Sequence, residues 1–180
     1  MQFHFYHLRA PLNHNAQLVT ALQQRPRWGL FSGLFGMAAN EVYLVTPQAV
    51  DLAEVDAECL AEEVWQATAR PDNEQPLTKN GLYVFRKFHV PQSDAAELVK
   101  LSRLAWQTFE SGDDYATQPV GLFQPEADSD GVVRMQLITW YDGFTSWETS
   151  RAPDPEAVAY FRRRRDLTLT TYAVATRLVT

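Results

Sequence analysis

Three side chains of this 180-residue chain have the types and spacing to do chemistry together: His4, Tyr6 and Arg86. His4 and Tyr6 lie two apart in an aromatic run of strand character, so they share one face. Arg86 and Phe88 repeat that spacing in a second run of the same kind. A histidine titrates near neutral pH and suits a general base, and a tyrosine beside it can exchange a proton in either direction. A guanidinium can hold a carboxylate or an enolate oxygen. Tyr43, Phe88, Arg134, Gln136 and Trp140 fall at alternating positions of neighbouring runs. They would supply aromatic walls and a few polar groups, the make-up of a pocket for a flat, partly polar organic molecule.

Other chemistries find little support. His4 and His7 are three apart on one strand and point to opposite faces. No histidine pair or carboxylate-histidine cluster has metal-ligand spacing, so no metal is expected. Cys59 is the only cysteine, which rules out an internal disulfide, and the neighbouring Leu60, Val64 and alanines place it beside a packed helix face. No nucleophile-elbow sequence surrounds a serine. Gly29, Gly33 and Gly36 lie in a strand region with no helix after them, which suits close packing or a bulge better than a phosphate loop. No cofactor motif is legible, so none is expected. Arg162-Arg163-Arg164-Arg165 on a helix point in four directions about 100° apart, which reads as a solvated, dipole-favoured helix end, with an anion or acidic-partner site as the alternative. The net charge is −6, with 5 basic and 9 acidic side chains in residues 1–80 and 11 and 13 in the rest. Such a balance argues against nucleic acid as a partner. No run approaches the roughly 20 apolar residues of a membrane span. The N-terminus lacks a basic region followed by an apolar one, so the cytoplasm is the expected compartment.

The elements that must position these residues come in two similar sets. Phe3-His4-Phe5-Tyr6-His7-Leu8 is matched by Tyr83-Val84-Phe85-Arg86-Lys87-Phe88. Gly33-Leu34-Phe35 recurs as Gly121-Leu122-Phe123, and Leu44-Val45-Thr46 as Leu137-Ile138-Thr139. The first set reads as a strand over 3–10, a helix over 14–24 capped by Asn13, strands over 28–36 and 41–46, a helix over 54–69 and a short strand near 76–79. The second reads as a strand over 82–90, a helix over 94–110 capped by Ser93, and strands over 119–124 and 132–141 about a turn at 128–131. A helix over 143–150 broken at Pro153, a helix starting at Asp154-Pro155 and a strand over 172–179 complete it. Each half is thus a βαββαβ, ferredoxin-like unit, repeat 1 spanning 1–78 and repeat 2 spanning 79–180. The fold class is α+β. Neither half is large enough to bury a good core alone, so the two sheets are expected to press face to face as a single-chain dimeric α/β barrel, the alternative being two side-by-side domains whose open faces pair with another chain.

The second half resembles the NIPSNAP family. Leu82-Tyr83-Val84-Phe85-Arg86-Lys87-Phe88, Pro119-Val120-Gly121-Leu122-Phe123, Leu137-Ile138-Thr139-Trp140-Tyr141-Asp142-Gly143-Phe144 and Asp154-Pro155-Glu156 carry the resemblance over about 100 residues. The first half fits as a degenerate copy. The resemblance implies the dimeric α/β barrel. Related barrels include cofactor-free monooxygenases, heme-degrading enzymes, isomerases and polyketide cyclases.

Strand parity then assigns faces. Met135 and Leu137 point to helices, leaving Arg134, Gln136, Ile138 and Trp140 for the lumen, with Glu41, Tyr43 and Val45 as their counterparts. His4, Tyr6, Arg86 and Phe88 are assigned to the lumen as well. Two outcomes follow. An open lumen would take a small aromatic or polyketide-like molecule, with His4 or Tyr6 as acid or base and Arg86 as anion holder. A filled lumen, with Arg86 paired to Glu41, would make the chain a structural or protein-binding module. One barrel per chain allows a monomer with an internal pseudo-dimer, and pairing of outer edges allows a homo-oligomer.

Overall fold

The computed structural model describes residues 1–110, 116–126, 131–151 and 155–180, with backbone alone at 108, 109 and 155–157. The elements are β1 (Gln2–Arg9), α1 (Asn15–Gln23), β2 (Gly29–Phe35), β3 (Glu41–Thr46), β4 (Glu58–Arg70), β5 (Leu82–Pro91), α2 (Ala95–Glu110), β6 (Thr117–Pro125), β7 (Val132–Tyr141), α3 (Phe144–Thr149), α4 (Pro155–Asp166) and β8 (Thr170–Leu178).

Eight antiparallel strands close into one barrel in the order β1-β3-β2-β8-β5-β7-β6-β4. The first four form the sheet β4-β1-β3-β2 and the last four the sheet β8-β5-β7-β6, the same order within each half. The halves join edge to edge, β2 to β8 and β4 to β6. This is an α+β, single-chain dimeric α/β barrel, and closure leaves no sheet edge unpaired.

Register fixes which residues correspond. Phe5 pairs with Val45, which pairs with Gly29; Phe85 pairs with Ile138, which pairs with Gly121. Tyr6 therefore corresponds to Arg86 and Leu8 to Phe88, as the aligned sequences imply. The partner of Gly121-Leu122-Phe123 is Gly29-Leu30-Phe31, four residues before the expected Gly33-Leu34-Phe35. Both glycines are required by packing: a Cβ on Gly29 would run into the Phe31 ring, and one on Gly121 into the Phe123 ring.

The lumen is filled. Phe3, Trp28, Phe31, Trp65, Tyr83, Phe85 and Phe123 form its core with Val45, Ile138 and Val174. The rings meet edge to face, Phe31 to Phe85 at 4.9 Å between centroids and Phe3 to Phe123 at 5.5 Å. Eight strands enclose a space just wide enough for side chains, and large aromatics fill it. Outside the barrel, Leu18 and Leu22 of α1 cover Leu30, Val42 and Leu44. Leu98 and Trp106 of α2 cover Phe88, Leu122, Met135 and Leu137.

The structure departs from the sequence reading in the first half. Residues 58–69 of the expected helix belong instead to the strand β4, Glu58–Arg70. The stripe from Ala57 to Thr68 has helical spacing, but Trp65 on this segment fills the lumen and β1 and β6 both need a partner there. Tertiary pairing outweighs local propensity. The crossover 47–57 has no helix. Its Val50, Leu52 and Val55 cover Tyr6 and Leu8 in place of one. Cys59 is accordingly exposed on a strand rather than beside a helix face. No strand forms at 76–79, where Leu77 donates its N–H to the Trp28 carbonyl and packs on the lumen core. Asn13 precedes the cap position, which His14 occupies, and has a positive φ of 65°. Ser93 lies in a single 3-10 turn, Gln92–Asp94, ahead of α2. The turn at 128–130, the break at Pro153 and the cap at Asp154 lie outside the described residues.

One end of the barrel is closed by charge. The buried Glu41 carboxylate accepts hydrogen bonds from Arg9 Nη2 at 2.7 Å, from Arg9 Nε at 3.0 Å and from the Ala38 N–H at 3.3 Å, and His7 Nε2 lies 2.9 Å away. Burial alone would push this carboxyl up, but Arg9 and His7 outweigh it and hold it below its usual range. Its contribution to stability is therefore full above the ordinary carboxylate pKa of about 4.3 and fades as pH falls through the lower folded value.

Two outcomes are expected in urea denaturation. Phe123→Ala removes a ring from a packed lumen and should cost about 3–5 kcal/mol; a loss under about 1 kcal/mol would mean that the lumen is loosely packed. Glu41→Gln should be less stable than wild type at pH 7, with the gap closing as pH falls below about 4.

Candidate functional site

The cavity lies outside the barrel. A space of about 520 Å³ separates the outer face of the second sheet from α4. Arg86 and Phe88 of β5, Leu137, Thr139 and Tyr141 of β7 and Thr171 of β8 form its floor. Trp106 of α2 and Pro119 of β6 close one side. Phe161, Arg162, Arg164 and Arg165 of α4 form the roof, and Ser150 and Arg151 follow α3 at the margin. Trp106 is fixed in place from outside the cavity: the Arg70 guanidinium lies 5.4 Å from its ring centroid, and Arg70 also donates to the Pro119 carbonyl at 2.8 Å.

The lining is one-signed. It carries five arginines, 86, 151, 162, 164 and 165, and no carboxylate among the described residues, in a protein of net charge −6. Arg86 and Arg164 are partly buried, whereas Arg151, Arg162 and Arg165 are exposed at the rim. Arg164 Nε is buried without a hydrogen-bond partner. Its guanidinium carbon sits 6.0 Å from the Phe88 ring centroid. Burial first, and the nearby Arg86 second, push Arg164 down to about 10. Burial also pushes Arg86 down, Tyr141 beside it partly offsets this, and Arg151 adds to it. Two like charges drawn out of water toward one space are unfavourable on their own, and an anion between them would relieve both.

The arginine run does not read out as four separate directions. Arg162 and Arg165 are one turn apart on the face that also carries Phe161 and Val158, and Arg164 reaches the same cavity beside them. Long side chains bend toward a common space from an arc wider than one helical stripe. Only Arg163 turns away, to Glu97 of α2 at 3.3 Å.

The expected lumen set is divided. Tyr43, Gln136, Trp140 and Arg134 do face the barrel interior, but the space among them is occupied. Tyr43 packs on Phe85 with centroids 5.0 Å apart, and burial raises its phenol to about 12. Gln136 is fully buried and donates to the Leu137 carbonyl at 3.2 Å. Trp140 donates to the Asn80 carbonyl at 2.9 Å. Arg134 stacks on Trp65 and pairs with Glu63 at the barrel end. His4, Tyr6, Arg86 and Phe88 point outward, the reverse of their expected orientation. The two faces of β1 and β5 differ little in polarity, and the lumen takes the larger rings at 3, 5, 83 and 85. His4 and Tyr6 stack on each other on the first half's outer face, and the Tyr6 hydroxyl accepts the Val50 N–H at 3.2 Å. Arg86 and Phe88 lie on the other half, so the three residues expected to share a pocket do not meet. Arg86 is also not the partner of Glu41, which Arg9 and His7 hold.

Arg164, Arg151, Trp106, Tyr141 and Phe161 were not legible as site residues. Their one signal in the sequence is the arginine run itself, which lacks carboxylates four residues before it to pair with on the same helix.

No protein-family model matches the sequence, and no curated protein matches it. Solved structures share the fold over the whole chain. An anthrone oxidase-like protein aligns with a TM-score of 0.61 at 10% identity, covering 99% of this chain and 92% of the other. A ferredoxin-fold protein related to antibiotic biosynthesis monooxygenases, from Listeria monocytogenes, aligns at 0.57 with 11% identity over 100% and 95%. A monooxygenase-like protein from Listeria innocua aligns at 0.54 with 9% identity over 99% and 94%. At these identities the likeness is one of fold. No helix among the described residues is long and apolar enough to cross a membrane.

Unpaired charge in the cavity has a measurable cost. Arg164→Met keeps the stem that packs on Phe88 and removes the charge, so the unliganded variant should melt higher than wild type by on the order of 2–4 °C. An unchanged or lower Tm would mean that the guanidinium is already satisfied.

Proposed function

We propose that this chain binds a small aromatic or polyketide-like molecule in the cavity beneath α4 and acts on it as a cofactor-independent monooxygenase, isomerase or cyclase. The observation that carries this reading is that Arg86 and Arg164, without carboxylate partners among the described residues, border one cavity whose other walls include Phe88, Trp106 and Phe161. Aromatic walls suit a flat ligand, and guanidiniums stabilise negative charge that develops on its oxygen when a proton leaves an adjacent carbon. The leaving proton passes to water, which reaches the cavity past the exposed Arg162 and Arg165, and Tyr141 lines the same space. An enolate made electron-rich in this way is the species that reacts with oxygen, rearranges or closes a ring.

Two further points support the reading. The monooxygenase-related neighbours share the whole fold. The NIPSNAP resemblance falls on the half that contains the cavity. We take residues 1–78 and 79–180 as two repeats, the second carrying the site and the first serving as scaffold, in a cytoplasmic protein. A structural or protein-binding module is the second reading, and the filled lumen favours it; it requires the cavity to take no ligand.

Anthrone is a suitable first substrate, since its oxidation to anthraquinone with one O₂ and release of water is read by an oxygen electrode. With chelator present, uptake above the spontaneous rate is expected, falling at least about tenfold in Arg86→Met. Thr171→Trp, which fills the cavity from an exposed strand position, should abolish it. No uptake, together with no thermal shift from any planar aromatic, would favour the module.

A further inference from the structure

We infer that the cavity prefers, over a neutral ligand such as anthrone, one that carries a doubly charged oxyanion head, bound between Arg86 and Arg164, at one end of its apolar body. The inference rests on the cavity being the ligand site and specifies what enters it. A single carboxylate is satisfied by one guanidinium in a two-pronged arrangement. Here two guanidiniums border one space, Arg86 from the sheet and Arg164 from α4, and neither has a carboxylate partner among the described residues. A monoanion would neutralise one and leave the other a buried, unpaired charge, which is costly. Two negative charges on one head group match both. Arg151 stands at the margin, close enough to act on Arg86 electrostatically, and adds to the excess of positive charge.

The remaining lining fits a head-and-body ligand. Ser150, Thr139 and Thr168 offer hydroxyls. The Thr168 hydroxyl already donates to the Arg164 carbonyl at 2.9 Å, which ties the end of α4 to the turn leading into β8 and fixes where the Arg164 side chain begins. The aromatic walls, Phe88 and Trp106, accept the body. In the first half the corresponding place is closed: Tyr6 occupies the position of Arg86, and Val50 and Val55 of the crossover lie over it. The pairing of cation and cavity is therefore confined to the second half.

Two chemistries supply such a head, a phosphate monoester and an adjacent pair of carboxylates. Binding to the full-length protein is measured by calorimetry with 1-naphthyl phosphate, naphthalene-2,3-dicarboxylate, 2-naphthoate and 2-naphthol. One of the two dianions is expected to bind about tenfold or more tightly than the naphthoate at pH 7.5, and which one identifies the head. The advantage should vanish in Arg86→Met and in Arg164→Met, each checked for folding by its melting curve. If the phosphate is the head, its affinity should fall from pH 7.5 to pH 5, as its second ionisation near pH 6 is reversed. Arg164→Gln serves as a second, polar variant should the methionine variant not fold. Equal binding of dianions and naphthoate, or a dianion advantage that survives both substitutions, overturns the inference. Naphthol binding as tightly as the anions does so too, while leaving the small-molecule reading intact. Binding of none of the four overturns both.

Discussion

Everything else in this molecule follows from the need to fill the space inside a closed eight-stranded barrel. Seven large aromatic side chains from five strands and the chain beside them meet there, several of them edge to face. Their volume dictates where glycine must stand, because Phe31 and Phe123 fold back over Gly29 and Gly121. It also dictates register. A shift of one residue would exchange Phe3 and Phe5 of β1 for His4 and Tyr6, or Tyr83 and Phe85 of β5 for Val84 and Arg86, and open the lumen. A lumen so occupied has no room for a ligand, and any binding function is displaced to the outer face of a sheet.

The two outer faces are not alike, although the strands beneath them share one order. In the first half, a crossover without a helix lies directly on the sheet, and Tyr6 is buried by it with its hydroxyl engaged by Val50. In the second half α2 packs on the sheet but α4 stands off from it across the cavity, and the position equivalent to Tyr6 is Arg86. A helix held away by its own side chains leaves a gap that an extended segment does not. The gap collects cations from three directions, the sheet, α4 and the segment after α3, in a chain that is acidic overall. Low surrounding dielectric strengthens the field these groups exert on an entering anion and makes their mutual repulsion costly while the cavity holds none. The aromatic core supplies the stability that tolerates this.

The two ion-pair clusters at the barrel end show the contrasting arrangement. Glu41 between His7 and Arg9, and Glu63 between Lys87 and Arg134, match each buried or half-buried charge with an opposite one. Charge there closes the structure. In the cavity beneath α4, no described lining residue is a carboxylate to answer the arginines.

The sequence alone determined the strands of the second half, the closing of two sheets into a barrel and the correspondence of Tyr6 with Arg86, because internal similarity and period-2 patterning are local properties of the chain. It also marked Arg86 and Phe88 as residues to watch, by type. Tertiary structure alone decided which way they point. On β1 and β5 both faces are buried, one by the lumen and one by helices or the crossover, so polarity does not distinguish inside from outside and ring volume does. Likewise β4 carries a helical stripe in its sequence, yet becomes a strand because two neighbouring strands lack partners without it. The site was hidden for the same reason. Arg86 and Arg164 are 78 positions apart, and only the packing of α4 across β5 brings their charges to one cavity with no carboxylate among its described lining.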